Sequence, residues 1–158
     1  MTFTAPFFRL AAVAALAAAA LAAQAADDPA PPKGDKLAAA RTLIADNKWV
    51  PAIEELKKVN DTRSADWNNL MGYSHRKART PDLAAAERYY TEALRIDAKH
   101  RGALEYSGEL YLMLGDLPKA EARLAALQGV CGTSCEEYKD LKGAVDRYKA
   151  AGNKYTPK

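Results

Sequence analysis

The chain has 158 residues, of which 49% are hydrophobic and 27% are charged, a length that suits one small domain after an N-terminal leader. It contains 23 lysine and arginine residues against 20 aspartate and glutamate residues, so its formal net charge at neutral pH is +3. Because basic and acidic residues are mixed along the chain and form no basic stripe, we expect no nucleic-acid partner.

The N-terminus has the pattern of a secretory signal peptide. Arg9 precedes an apolar run over residues 10–23, and the small-x-small sequence AQA ends at Ala25. The run is shorter than the roughly 18–20 apolar residues that a spanning helix needs, although an uncleaved N-terminal anchor is the alternative. We predict a signal peptide over residues 1–25, cleaved after Ala25, and a periplasmic or secreted mature protein without a stable membrane span. The proline-rich residues 26–34 predict a flexible lead-in.

Residues 35–128 contain an internal repeat. Ala52, Ala86 and Ala120 are spaced 34 residues apart (86 − 52 and 120 − 86), and each is followed by apolar residues at helical spacing. The followers are Leu56 and Val59, Tyr90 and Ala93, and Leu124 and Leu127. We predict three helix-turn-helix pairs, in which the small residues Gly108 and Ala120 let the two helices of the third pair approach closely.

Several residues of this repeat resemble the tetratricopeptide repeat pattern. The matching positions are Trp67, Leu70, Ala86, Tyr90, Ala93, Gly108, Tyr111, Ala120 and Leu124. Met71 stands where a glycine is usual, and Ala98 where a proline is usual. The resemblance implies an all-α protein, a right-handed α-α superhelix (a solenoid) of about three helix pairs plus a C-terminal capping helix.

The resemblance also implies a concave groove, lined by the first helix of each pair, that binds a protein or peptide. Carried over to this chain, the groove residues are Asn68, Asn69, Arg76, Glu105, Tyr106, Glu109 and Met113, with Ala65, Gly72 and Leu112 beside them. The alternative for any one of them is an ordinary solvated position. We expect paired Asn68→Ala and Arg76→Ala changes to weaken partner capture without unfolding the protein. Glu105 and Glu109 argue against an acidic ligand.

Residues 129–152 predict a seventh helix that caps the repeat, followed by a tail over residues 153–158. Its apolar stripe is Tyr138, Leu141, Val145 and Tyr148, at spacings of three, four and three. Thr133 with Glu136, and Ser134 with Glu137, have capping-box spacing, which predicts that Thr133 and Ser134 cap this helix. Gly152 is placed to end it.

Cys131 and Cys135, the two cysteines of the chain, allow three interpretations. An exported protein with an even cysteine count favours a structural disulfide that staples the capping helix. A redox-active pair is the second, although its usual spacing is C-x2-C. Cu(I) binding by two thiolates is the third, although the other expected ligands are missing from the nearby sequence.

The sequence contains no phosphate-binding glycine loop, no H-E-x-x-H and no G-x-S-x-G. His75 and His100 are not clustered with other potential metal ligands in the sequence, and we expect both to be solvated. We therefore expect no enzymatic activity, no cofactor and no metal. The predicted function is a non-catalytic periplasmic adaptor that binds a protein or peptide in its groove, and the alternative is a redox or copper-handling accessory protein that uses the cysteine pair.

Overall fold

The computed structural model describes residues 1–2 and 34–155, and within them every regular element is an α-helix. The helices are α1 Ala38–Ala45, α2 Trp49–Val59, α3 Ala65–Lys77, α4 Leu83–Ile96, α5 Arg101–Met113, α6 Leu117–Cys131 and α7 Glu136–Ala150. They belong to one compact unit, Lys33–Lys158. The predicted all-α class is therefore confirmed. Residues 3–33 lie outside the described part of the chain. They include the predicted signal peptide after its first two residues and the predicted lead-in up to residue 33.

Among the described residues, none of the helices is both long enough and apolar enough to span a bilayer. Each successive helix packs against the next, and α5 also packs against α7.

Short polar side chains cap the N-termini of three of the central helices. The backbone N–H of Ala85 donates to Asp82 Oδ1 at 2.8 Å, so Asp82 caps the N-terminus of α4. Asp116 and Ser64 cap α6 and α3 in the same way. Gly115, at φ +79°, makes the turn before Asp116, because its backbone lies in the left-handed region that glycine adopts without steric strain.

The repeated apolar faces form the core. Ala52, Ala86 and Ala120 have no exposed surface, so the small residues that recur every 34 positions are all buried. Trp67 of α3 forms a hydrogen bond to the preceding helix, in which its Nε1–H donates to the Leu56 carbonyl at 2.7 Å. Small residues therefore allow close packing, and larger side chains fix the register between pairs.

Gly108 faces a different neighbour from the one predicted. A Cβ atom there would lie 2.5 Å from Cδ2 of Leu141, so the missing side chain makes room for α7 and not for α6. Gly72 of α3 shows the same device within the second pair, where a Cβ atom would lie 2.8 Å from the Tyr90 ring. The close approach at Gly108 thus joins the last repeat to the C-terminal helix.

The prediction that Thr133 and Ser134 cap α7 is wrong. The N-cap residue is Cys135, which has extended backbone angles, and no side chain makes a capping hydrogen bond there. Because Cys135 is bonded to Cys131 at the end of α6, the helix begins only at Glu136. Glu136 and Glu137 then lie in the first turn, where the helix dipole favours negative charge.

Candidate functional site

A cavity of about 220 Å³ opens between α3, α5 and α7. Tyr73, Arg76 and Lys77 of α3, Glu105, Tyr106 and Glu109 of α5, Asp140, Ala144, Arg147 and Tyr148 of α7, and Tyr155 line it. We call it the α3–α5–α7 cavity. Its wall combines four tyrosines with three acidic and three basic side chains, so it suits a polar ligand better than an apolar one.

Arg76 forms the centre of the polar wall. Its guanidinium Nη1 lies 2.8 Å from Glu109 Oε2, and Nε donates to the Tyr90 hydroxyl at 3.3 Å. The Arg76 side chain is buried, and its Cζ lies 5.4 Å and 5.6 Å from the ring centroids of Tyr73 and Tyr106. Burial alone would lower the pKa of Arg76, but Tyr90 and Glu109 outweigh it and raise that pKa, so the guanidinium stays charged.

Glu105 is the most perturbed carboxyl group of the site. Burial, together with the negative charges of Glu109 and Asp140, raises the pKa of Glu105 to about 8, although Arg76 acts in the opposite direction. Only 8% of the residue is exposed. At neutral pH, most Glu105 side chains are consequently protonated and uncharged.

The tyrosines supply rigid walls with polar ends. The rings of Tyr73 and Tyr106 lie 4.6 Å apart between centroids, and burial and the Glu105 charge raise the pKa of the Tyr106 hydroxyl above its ordinary value. That hydroxyl therefore stays neutral at physiological pH and can both donate and accept a hydrogen bond.

Four of the seven predicted groove residues, Arg76, Glu105, Tyr106 and Glu109, line this cavity. The structure does not bring Asn68, Asn69 and Met113 into it. The Asn68 Nδ2 donates to the carbonyls of Thr62 and Ser64, both at 2.9 Å, so this amide holds the α2–α3 loop. Asn69 is buried with its Nδ2 beside Gly102 of α5.

These contacts correct the expectation that Asn68→Ala with Arg76→Ala would leave the fold intact. Asn68 is 2% exposed and Arg76 is 3% exposed, and both make buried polar bonds. Their removal leaves unpaired buried groups, which destabilises the folded state. Substitution of either residue would therefore change stability as well as any partner binding, and it cannot test the two separately.

Sequence reasoning missed the contribution of α7, which it treated only as a cap. Asp140, Ala144, Arg147 and Tyr148 lie at relative positions 0, 4, 7 and 8, a spacing that places them on one helical face. That spacing was the available signal. Tyr155, from the predicted tail, closes the same cavity and had no sequence signal.

The two cysteines lie at disulfide distance, with Sγ atoms 2.10 Å apart and Cα atoms 5.9 Å apart. Among the described residues, one group of potential metal ligands converges, and it consists of this pair and the Glu137 carboxylate. Cu(I) prefers soft thiolates, and a disulfide offers none, while a carboxylate oxygen is a hard ligand. Glu137 is also 3.4 Å from the Arg101 Nε. The oxidised pair is consequently a poor copper site.

Serine replacement of Cys131 and Cys135 is expected to lower the free energy of unfolding by about 2 kcal/mol, because the disulfide closes a very short loop in the unfolded chain. Urea unfolding followed by circular dichroism, with and without a reductant, measures this difference. A redox titration of the thiol pair gives the complementary result. A potential near those of periplasmic thiol oxidoreductases, with unchanged stability on reduction, would contradict the structural role and favour the redox alternative.

Both histidines have structural contacts, so the expectation that they are solvated is wrong. His100 Nδ1 accepts the Ala103 N–H at 3.0 Å and caps α5, which leaves Nε2 to donate to Asp66 Oδ1 at 2.9 Å. The His75 ring stacks on Tyr89 with centroids 5.5 Å apart, and burial lowers the pKa of His75. Neither histidine lines the α3–α5–α7 cavity.

No protein-family model matches this sequence, and no curated protein matches it. The functional assignment therefore depends on the geometry of the described residues.

Proposed function

We propose that this chain is a non-catalytic adaptor that binds a peptide segment of a partner protein in the α3–α5–α7 cavity. The observation that carries the proposal is that three helices which are not consecutive in sequence, α3, α5 and α7, contribute side chains to one polar, tyrosine-rich cavity. A site of this composition is typical of peptide recognition, because tyrosines provide large contact area at low entropic cost.

The architecture that we propose for the adaptor is a right-handed, TPR-like superhelix of three helix pairs closed by α7. The buried alanines at positions 52, 86 and 120 support it, as does the alternation that brings α3, α5 and α7 to one cavity. In this arrangement α3 and α5 are the first helices of their pairs, and α7 extends the same row. We further propose that the protein acts in the periplasm after cleavage behind Ala25.

The size of the cavity favours a single side chain of a polypeptide. Sites for drug-sized molecules occupy roughly 300–1,000 Å³, and this cavity has about 220 Å³. The rest of the bound segment would then lie across the rim, where the exposed Lys77 is located.

Site-specific photocrosslinking in the producing cell tests the proposal. With p-benzoylphenylalanine at position 77, on the rim of the cavity, we expect a discrete covalent product with another polypeptide. The matched control is the same replacement of Lys57, which is exposed on α2 and outside the cavity. Equal products from the two positions, or none from position 77, would refute the cavity as the binding site.

A further inference from the structure

We propose that the α3–α5–α7 cavity selects a basic side chain, lysine or arginine, of the peptide that it binds, and that the Glu105 carboxylate is its counter-ion. This inference depends on the proposed function and specifies the chemistry of its partner.

Glu105 is a buried carboxyl group whose side chain lines an open cavity. Within residues 34–155 it forms neither an ion pair nor a side-chain hydrogen bond, whereas the neighbouring Glu109 is paired with Arg76. Because no described residue donates to the Glu105 carboxyl group, a ligand in the cavity can supply its first hydrogen-bond donor. Glu105 is thus a carboxyl group with free capacity to bind a donor from a ligand.

The charges around Glu105 determine the sign of that donor. Carboxylates face it from two helices, namely Glu109 on α5 and both Asp140 and Glu137 on α7, and the opposing charge is Arg76 on α3. Arg76 already bonds to Glu109 and Tyr90. Lys77 and Arg147 also line the cavity, but both residues are exposed to solvent, and neither forms an ion pair with Glu105. An additional cation beside Glu105 would reduce repulsion among the carboxylates, and an anion would increase it.

The aromatic walls favour the same choice. The guanidinium of Arg76 already lies near the faces of Tyr73 and Tyr106, which shows that these rings accommodate a cation. Lysine and arginine also have long aliphatic stems that pack along tyrosine rings while the charged end reaches a buried acid.

Binding of a cation should be coupled to ionisation of Glu105. The free protein holds this group largely protonated at pH 7, since its pKa is raised to about 8, and a bound cation favours the charged form. Affinity should therefore rise with pH, by about tenfold between pH 7 and pH 9, provided that the bound cation lowers this pKa below 7. A lysine side chain, with an ordinary pKa of about 10.4, remains mostly charged over this range.

The experiment uses the purified full chain with ¹³C-labelled tyrosine rings and four blocked tripeptides, Ac-Ala-X-Ala-NH2, where X is lysine, arginine, glutamine or glutamate. Ring signals of Tyr73 and Tyr106 report binding in the cavity, and Tyr89, which packs on Trp67 outside it, is the internal control. We expect the lysine and arginine peptides to bind at least about tenfold more tightly than the glutamine peptide at pH 9, with the stated dependence on pH. The comparison of lysine with arginine determines which basic group fits better.

Glu105→Gln is the matching variant, because an amide has nearly the shape of the protonated carboxyl group. It should abolish both the preference for basic peptides and the pH dependence, whereas Glu54→Gln on the exposed face of α2 should leave both unchanged. Equal affinities for all four peptides in the cavity would overturn the inference while leaving the proposed function standing. Preference for the glutamate peptide would also overturn it. If no tripeptide shifts the cavity tyrosines while position 77 still crosslinks to a partner, the basic-side-chain inference is overturned, and failure of the crosslinking would overturn the proposed function itself.

Discussion

Replacement of Arg76 by alanine is expected to lower the free energy of unfolding by about 3–5 kcal/mol. The Arg76 side chain is 2% exposed and its Glu109 partner 14% exposed, so the ion pair lies mostly out of water. Removal of the guanidinium leaves the Glu109 carboxylate without its partner and takes a donor from the buried Tyr90 hydroxyl. Such a loss is much larger than the loss of a surface ion pair.

Chemical denaturation of the Arg76→Ala variant, monitored by circular dichroism, measures this loss. Arg95→Ala is the matched control, because Arg95 pairs with Glu92 on the exposed face of α4 and should change stability very little. The double variant Arg76→Met with Glu109→Gln should recover part of the loss, since it leaves no unpaired charge in the interior. Similar unfolding midpoints for Arg76→Ala and Arg95→Ala would contradict this account of the polar wall.

Truncation of Leu141 to alanine should be similarly destabilising, by about 2–5 kcal/mol. Leu141 has no exposed surface and packs in the cluster that joins α5, α6 and α7. Its side chain occupies the space that the absent Cβ atom of Gly108 leaves open, so the variant creates a cavity where α7 meets the last repeat. Loss of this contact would loosen the α7 wall of the α3–α5–α7 cavity as well.

A double-mutant cycle with Gly108→Ala isolates this contact. Alone, Gly108→Ala forces a methyl group to within 2.5 Å of Leu141 and should destabilise by about 1–3 kcal/mol. Combined with Leu141→Ala, the added methyl group enters the vacated space, and the double variant should lose less than the sum of the two single losses. Gly129→Ala, at an exposed position of α6 with no atom near the added Cβ, is the control and should stabilise slightly. Strict additivity of the two changes would show that Gly108 and Leu141 are not coupled.

The all-α class could be predicted from the sequence because its determinants are local and periodic. The spacing of Ala52, Ala86 and Ala120 predicted which helix faces are buried. Propensity and periodicity act over one or two turns, so a single sequence reveals them. The wrong cap of α7 had a non-local cause, since the bond between Cys131 and Cys135 overrides the capping-box pattern.

Only part of the candidate site could be predicted from the sequence. The resemblance to tetratricopeptide repeats implied a groove that includes Arg76, Glu105, Tyr106 and Glu109, and these four residues line the cavity. The α7 wall did not follow, because its position depends on the contact between Gly108 and Leu141, two residues 33 positions apart (141 − 108). Burial and the neighbouring Glu109 are the larger causes of the raised pKa of Glu105, and the smaller contribution of Asp140 depends on where α7 lies.

The central claim is that the α3–α5–α7 cavity receives a partner polypeptide, and the paired photocrosslinking yields at positions 77 and 57 test it most directly. The two positions are both exposed lysines at the C-terminal ends of helices, so they sample a similar local environment. The account predicts a discrete crosslinked polypeptide from position 77 and none from position 57. A product from position 57 alone, or identical products from both, would contradict it.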